Sequence, residues 1–305
     1  MDILKRKNRD RWLFIVNSTA GRGKTGRKIN ELMDVLNKHG FDYQIELTKY
    51  ARHAVELAKT GIKEGYRKLI AVGGDGTINE VITGIMQSGK SDKVGLGIIP
   101  EGGGNDFAKN FHITGDIEED IQILEEKHAS PIDIGKVNDY YFMNALGVGF
   151  DAEVAIESEK IKRLNGLPRY FAALMKVLRK LRPYKFQLEL DGEELKKEFL
   201  LVSVGNGYCT GGGFLLTPNA KVNDGVFDVC LVDALSKSRL IKVLSTVFKG
   251  THLKFPEVEM RQVKKLKVKS DLPIPLYFDG ELPKESLNEM TIEILPSALM
   301  MYNRK

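Results

Sequence analysis

Twice in the first third of the chain an apolar segment runs straight into glycines. Leu69-Ile70-Ala71-Val72 leads into Gly73-Gly74-Asp75-Gly76-Thr77-Ile78-Asn79-Glu80, and Leu96-Gly97-Ile98-Ile99 into Pro100-Glu101-Gly102-Gly103-Gly104-Asn105-Asp106-Phe107. A short unbroken apolar run reads as a strand buried on both faces, which calls for a parallel sheet with helices on either side. Glycines at such a strand end let the backbone turn tightly and approach a ligand closely. A helix opening there presents free N–H groups and a partial positive charge, which suits phosphate. Two such ends can flank one crevice at the carboxyl edge of the sheet.

The neighbouring pattern agrees. Residues 11–17 are a further apolar run, ending in Asn17-Ser18-Thr19-Ala20-Gly21. Ile29, Leu32, Met33 and Leu36 then recur at helical spacing, with Gly40 at the C-terminal position. Residues 43–47 read as a strand and 51–63 as a helix. Thr77 and Glu80 have capping-box spacing, which predicts a helix starting there and running through 79–86. Near Ser130-Pro131 the pattern changes to short alternating segments at 186–190, 199–204, 227–232, 263–268 and 290–295. Asp191-Gly192, Asn223-Asp224-Gly225 and Asp279-Gly280 separate several of them, as in an antiparallel sandwich or barrel. We expect an α/β domain over residues 1–130 and a β-rich domain over 131–295, with 296–305 returning to the first.

Asp75 puts a carboxylate beside a phosphate site, where it repels unless a divalent cation lies between them. Asp106 is a second metal or substrate ligand by the same logic, or a helix N-cap. Ser18 and Thr19 either bind phosphate or cap the next helix. Gly21-Arg22-Gly23-Lys24-Thr25-Gly26 lacks the spacing of a P-loop, and no acid supports a dinucleotide fingerprint.

Composition narrows the classes. With 42% hydrophobic and 29% charged residues the chain is neither disordered nor fibrous. Its net charge of +5 is too mild to argue for nucleic acid. No run approaches a membrane span, and the stretch from Trp12 is too short for a signal-peptide core. Two cysteines cannot staple a fold of this size and read as reduced thiols, which fits a cytoplasmic protein. The five histidines show no metal-ligand spacing with a cysteine and read as surface or helix residues. Trp12 reads as packing at the first strand.

The first glycine loop, continued as Thr77-Ile78-Asn79-Glu80-Val81, resembles the nucleotide loop of the diacylglycerol and sphingosine kinase catalytic family. The second resembles that family's Pro-x-Gly-Thr-Gly-Asn-Asp-Phe-Ala element. Asp133-Ile134-Gly135, Phe142-Met143-Asn144, Gly147-Val148-Gly149-Phe150-Asp151-Ala152, Gly211-Gly212-Gly213, Pro218-Asn219-Ala220, Asp224-Gly225-Val226-Phe227-Asp228 and Phe278-Asp279-Gly280-Glu281 extend the likeness over nearly the whole chain. The soluble bacterial lipid kinases are the nearest group.

The resemblance implies a Rossmann-like (phosphofructokinase-like) N-terminal domain and a C-terminal β-sandwich, with the active site in the interdomain cleft. It implies an ATP- and Mg2+-dependent kinase acting on a lipid hydroxyl, diacylglycerol being the leading acceptor. ATP would lie against Asn17, Ser18, Thr19, Ala20, Gly21, Thr48, Gly73, Gly74, Asp75, Gly76, Thr77, Ile78, Asn79, Glu80 and Gly103. Glu281 matches the family's base; its own sequence context reads as a plain hairpin turn, and it is the resemblance that reverses that reading. Asp75 and Asp106 match acids that organise metal and water. Asp224, with the carbonyls of Lys221 and Val226, matches a second magnesium site. Gly103 departs from the family threonine, which removes a hydroxyl contact to phosphate. A soluble-acceptor kinase such as an NAD kinase, and a non-catalytic lipid- or nucleotide-binding regulator, are the competing readings. The sequence does not name the acceptor and admits a homodimer.

Residues 160–185 carry nine basic side chains and no acidic one. Phe171, Leu174, Met175 and Leu178 share one helical face there, opposite Arg169, Lys176, Arg179 and Lys180. This predicts transient peripheral contact with an anionic membrane, or a stripe that packs on its own domain. Arg261, Lys264, Lys265, Lys267 and Lys269 extend the basic surface or guard a solvated sheet edge.

Overall fold

Strand β1 (Trp12–Val16), strand β3 (Lys68–Gly73) and strand β4 (Gly95–Pro100) are buried almost throughout, as their unbroken apolar runs require. The structure is a computed structural model that describes residues 8–161, 163, 164, 166–283 and 285–305. It forms two units, one ending at Ile134 and completed by Ser297–Lys305, the other Gly135–Pro296.

In the first unit, α1 (Ala20–Arg27) and α2 (Ile29–Lys38) precede β2 (Tyr43–Leu47), and α3 (His53–Glu64) leads to β3. Helix α4 (Asp75–Gln87) precedes β4, which α5 (Asp106–Lys109), α6 (Ile117–Glu125) and β5 (Ala129–Val137) follow. The parallel strands run in the order β2-β1-β3-β4. A core of Trp12, Phe14, Leu32, Leu36, Ile70, Ile121 and Leu124 joins helices to sheet. Each such side chain contributes about 1.5–3 kcal/mol on burial. Trp12 packs between Phe41 and Tyr302, with ring centroids 5.2 Å away in both cases.

In the second unit β6 (Tyr140–Phe142) and β7 (Ala145–Gly149) lead to α7 (Phe150–Lys160) and α8 (Gly166–Arg179). Then come β8 (Tyr184–Leu190), β9 (Glu193–Gly205), β10 (Phe227–Asp233), α9 (Lys237–Val247), β11 (Val258–Val263), β12 (Lys265–Lys269), β13 (Leu276–Phe278) and β14 (Glu289–Tyr302). The end of β14 belongs to the first unit, where Met300 and Met301 pair in parallel with Gly95 and Leu96. Strand β9 serves two layers: residues 193–199 pair with β8, and 201–205 pair with both β7 and β10. The layers form a sandwich and not a closed barrel, around Phe142, Phe186, Phe199, Phe227, Leu266 and Ile292.

Several sequence expectations change. Residues 263–268 are not one strand. The chain breaks at Lys264, whose N–H donates to the Asp191 carboxylate, so that β11 pairs with β10 while β12 lies between β8 and β14. Strand β12 is interior while β11 ends the strand order, and three of the basic side chains there have acidic partners: Lys267 meets Glu189, Lys269 meets Glu289 and Arg261 meets Glu259. His252 is fully buried, its Nε2 3.1 Å from the Leu216 carbonyl, because strand and helix close over it. Cys209 and Cys230 are free buried thiols, and burial pushes Cys230 up to about 12.

The inward face of α8 is Ala173, Val177 and Leu178, with Tyr170 and Leu174 beside them; Phe171 and Met175 stay exposed. The expected apolar stripe therefore splits, because the core-facing side is centred on Tyr170, Ala173 and Val177: Leu174 and Leu178 border it and Phe171 and Met175 lie beyond it. Acids of α7 also neutralise the basic stretch: Glu157 pairs with Lys160 and Lys176, Glu159 with Arg169, and Glu153 with Arg182. Lys162 lies outside the described residues. Among the described residues no helix is long and apolar enough to cross a membrane.

Candidate active site

The order β2-β1-β3-β4 reverses between β1 and β3, and the loops that follow these two strands face the crevice such a reversal creates. The two loops are joined there. Asn17 Nδ2 donates to Thr77 Oγ1 at 3.0 Å. The Asn17 Oδ1 atom accepts from the Thr19 N–H at 3.1 Å and from its hydroxyl at 2.8 Å, so Thr19 caps its own turn. Thr48, at the end of β2, donates its N–H to the Val16 carbonyl.

The loops after β3 and β4 are joined more tightly. Asp75 accepts the Asp106 N–H at 3.2 Å and the Phe107 N–H at 3.1 Å, one on each carboxylate oxygen. Burial pushes its carboxyl above the usual carboxylate range, the Phe107 N–H opposes that, and the Asp106 charge adds to it. Asp106 itself pairs with Lys109 at 2.6 Å. Gly102 N–H donates to Asn105 Oδ1 at 2.8 Å, and Glu101 accepts Lys28 at 2.7 Å. A β-carbon on Gly74 would sit 3.1 Å from the α-carbon of Gly102. Gly103 differs: nothing lies within 4 Å of a β-carbon built there.

Helix α4 begins at Asp75, not at Thr77, with Gly74 as N-cap and no side-chain cap. Glu80 caps a different helix. Its two oxygens accept the N–H groups of Arg52, at 2.9 Å, and Ala54, at 3.2 Å, at the start of α3. Asp106 is likewise not an N-cap, since Asn105, at φ +50°, holds that position. The first unit thus gathers Asn17–Gly21, Thr48 and Gly73–Thr77, with Gly103 and Asp106, at the carboxyl ends of four adjacent strands.

Glu281 lies in the second unit, half-buried, directly after β13. The Phe278 and Glu281 backbones bond reciprocally around Asp279 and Gly280, at φ +45° and +92°. Positive φ at both central residues is the hairpin geometry that Asp-Gly favours. The Asp279 carboxylate accepts N–H groups from Met143, Asn144 and Ala145, which fixes the turn that carries Glu281. A cavity of about 520 Å3 opens next to Leu282, its lining divided between aliphatic side chains such as Ile156, Val177 and Leu276 and the charged Glu153, Glu157, Lys160, Lys176, Lys180 and Glu285.

Asp224 accepts the Val226 N–H at 3.3 Å and closes the turn that contains Lys221 and Val226. Asp228, one strand residue on, is buried and has one carboxylate oxygen without a hydrogen-bond partner among the described residues. Burial, then the Asp224 charge, raises its pKa. A buried carboxylate oxygen without a partner beside a second carboxylate suits a cation. Among the described residues there is no cluster of three or more His, Cys, Asp or Glu arranged for a metal.

Sequence reasoning passed over Lys109 and Lys28, and read Asp279 as part of the turn that carries Glu281 without its bonds to residues 143–145. The three-residue spacing of Asp106 and Lys109 on a helix was the one local signal available for either lysine.

Residues 11–137 match the family model described as the diacylglycerol kinase catalytic domain, and residues 144–303 the YegS C-terminal NAD kinase beta sandwich-like domain. The diacylglycerol kinases of Staphylococcus carnosus (strain TM300) and Staphylococcus saprophyticus subsp. saprophyticus are each 33% identical over 285 residues. Those alignments cover 92% of this chain and 92% and 93% of the relatives. The crystal structure of a diacylglycerol kinase from Bacillus anthracis str. Sterne superposes with a TM-score of 0.79 at 24% identity, covering 97% of both chains, a likeness of fold.

Proposed function

This chain belongs to the diacylglycerol kinase family of lipid kinases, and from that premise we propose that it transfers the γ-phosphate of ATP to the hydroxyl of diacylglycerol, giving phosphatidic acid. The observation that supports the reading most directly is the bonding of Asp75 to the N–H groups of Asp106 and Phe107. It locks together the glycine loops that follow β3 and β4, the first of which borders the reversal of the parallel sheet, leaving other loop N–H groups to meet phosphate.

Phosphoryl transfer needs positioning and charge stabilisation more than covalent chemistry. In the proposed roles, Asn17–Gly21, Thr48, Gly73–Glu80 and Gly103 position the triphosphate, with Glu80 acting through the start of α3. Bound Mg2+ would neutralise phosphate charge. Asp75 and Asp106 are the residues proposed to hold it and its waters, and Asp224 with the Lys221 and Val226 carbonyls a second ion. Glu281 accepts the proton of the attacking hydroxyl. The cavity next to Leu282 combines an aliphatic wall with charged side chains, which suits an amphipathic acceptor whose chain lies along the aliphatic part. Exposed Phe171 and Met175 on α8, near Arg179 at its end and Lys180 just after it, support shallow contact with an anionic membrane.

A soluble acceptor is the second reading, favoured by the NAD kinase-like description of residues 144–303. The test offers radiolabelled ATP and Mg2+ to the purified protein with diacylglycerol, phosphatidylglycerol and a sphingoid base in mixed micelles, and separately with NAD. Label in phosphatidic acid is expected. Label in NAD, or in another lipid alone, overturns the proposal.

A further inference from the structure

The amino ends of the parallel strands, on the edge of the sheet opposite the glycine loops, surround an open basin of about 720 Å3. Lys68 begins β3, with Arg67 before it and Arg9 beside it. Lys90 and Lys93 come from the turn ahead of β4, Lys63 from the last turn of α3, and Lys127 from the connection to β5. Against these seven cations the lining offers two carboxylates, Asp10 and Asp92. The surplus of positive charge is not absorbed by the fold. Among the described residues none of the seven joins an ion pair, whereas Lys28, Lys38, Lys109 and Arg239 elsewhere all do.

Three helices, α3, α4 and α6, end near this edge. Each C-terminus carries about half a negative charge, which accounts for only part of the surplus. Adding Glu64 and Glu126, next to Lys63 and Lys127 in sequence, still leaves the basin positive. Lys68 shows the strain: burial first, and then the charge of Lys127, lower its pKa. Its Nζ donates to the Asp10 carbonyl at 3.0 Å and stands 5.0 Å above the Trp12 ring, so its position is fixed. Ile62, Val94, Met300 and Tyr302 supply an apolar floor.

We propose that this basin is a second anion site, taking a phosphate-bearing ligand of about nucleotide size on the edge of the sheet remote from the glycine loops. The strands between the two edges are six residues long, about 20 Å, so one ligand does not span both. The volume lies within the usual range for small-ligand sites. Multiple unpaired cations around a concave, partly apolar floor suit a phosphoester carrying a ring or a chain, whether free or as a lipid headgroup. The inference is independent of the kinase reading.

The chain contains one tryptophan, Trp12, under Lys68, so its fluorescence reports this edge. The full-length protein is titrated, without Mg2+, with sodium tripolyphosphate, and separately with vesicles of phosphatidylcholine alone or mixed with phosphatidylglycerol. Lys90→Gln/Lys93→Gln/Lys127→Gln removes three exposed cations that take no part in the proposed catalytic machinery. Wild type is expected to show a saturable emission change, weakened about tenfold or more in the triple variant at equal thermal stability, and weakened by salt. A response to tripolyphosphate assigns a soluble source; a response only to phosphatidylglycerol vesicles assigns a headgroup. Identical titrations of wild type and triple variant with both probes, or no emission change with either, overturn the proposal.

Discussion

A β-carbon on Gly102 would stand 2.6 Å from the α-carbon of Gly74, so the two glycine loops meet backbone to backbone. No side chain can retreat to relieve that contact. Gly102→Ala is therefore expected to push the loops apart, raise the KM for ATP tenfold or more and weaken the Asp75 hydrogen bonds. Gly74→Ala, with a 3.1 Å approach, is expected to cost less, and Gly103→Ala close to nothing. Steady-state kinetics on the three variants checks the ranking; equal effects at all three would contradict it.

The open space around Gly103 has the opposite consequence. A β-carbon there meets no steric barrier, and a threonine would add a hydroxyl donor to a loop proposed to hold phosphate. One added hydrogen bond is worth about 0.5–1.5 kcal/mol. Gly103→Thr is expected to lower the KM for ATP by about two- to tenfold with stability unchanged. Calorimetric titration with a non-hydrolysable ATP analogue measures it, and weaker binding would show that the loop uses this glycine for close approach.

Glu281 and Asp279 share a turn but are expected to fail differently. Glu281→Gln removes the proposed base and lowers kcat about 10²–10⁴-fold, leaving the thermal midpoint in place. Asp279→Asn keeps only one acceptor oxygen for the Met143, Asn144 and Ala145 N–H groups, and is expected to cost about 1–3 kcal/mol of stability. Thermal melts alongside lipid-kinase assays separate the two. Full activity in Glu281→Gln would dismiss it as the base.

Asp120, on α6, makes the stability depend on pH. It is 1% exposed, and burial pushes its carboxyl up to about 7. The Gly115 and Thr114 N–H groups approach it without reaching hydrogen-bonding geometry and offset only part of the burial penalty. Between the ordinary carboxyl range and about 7 the native state keeps a proton that the unfolded chain has released, so stability falls as the pH rises through that window. Asp120→Asn is expected to be more stable than wild type at pH 8, by roughly 1–3 kcal/mol, and to lose that advantage near pH 4. Urea melts at the two pH values decide; an advantage of the same size at both would assign it to packing.

The candidate site was legible where its signal was local. Asp75 and Asp106 stand out because each sits in a glycine loop behind an apolar strand, and Asp279-Gly280 because two positive φ angles leave few residue choices. Lys28 and Glu101 gave no such sign, since 73 residues separate partners that meet only after folding. Glu80 misled for the same reason: its spacing from Thr77 fits a cap on its own helix, yet it caps α3.

The amino-acid order alone determined the parallel strands of the first unit, where the backbone needs glycine, and which acids stand beside those turns, because each depends on neighbours within a few residues. Tertiary structure decided what those groups touch. It joined Asp75 to the second loop, split 263–268 between two layers, set the acids of α7 against the bases of α8 and drew to one edge of a sheet seven cations that join no ion pair among the described residues. Electrostatics and close packing act through space, and the distances that govern them come into being only when remote strands lie side by side.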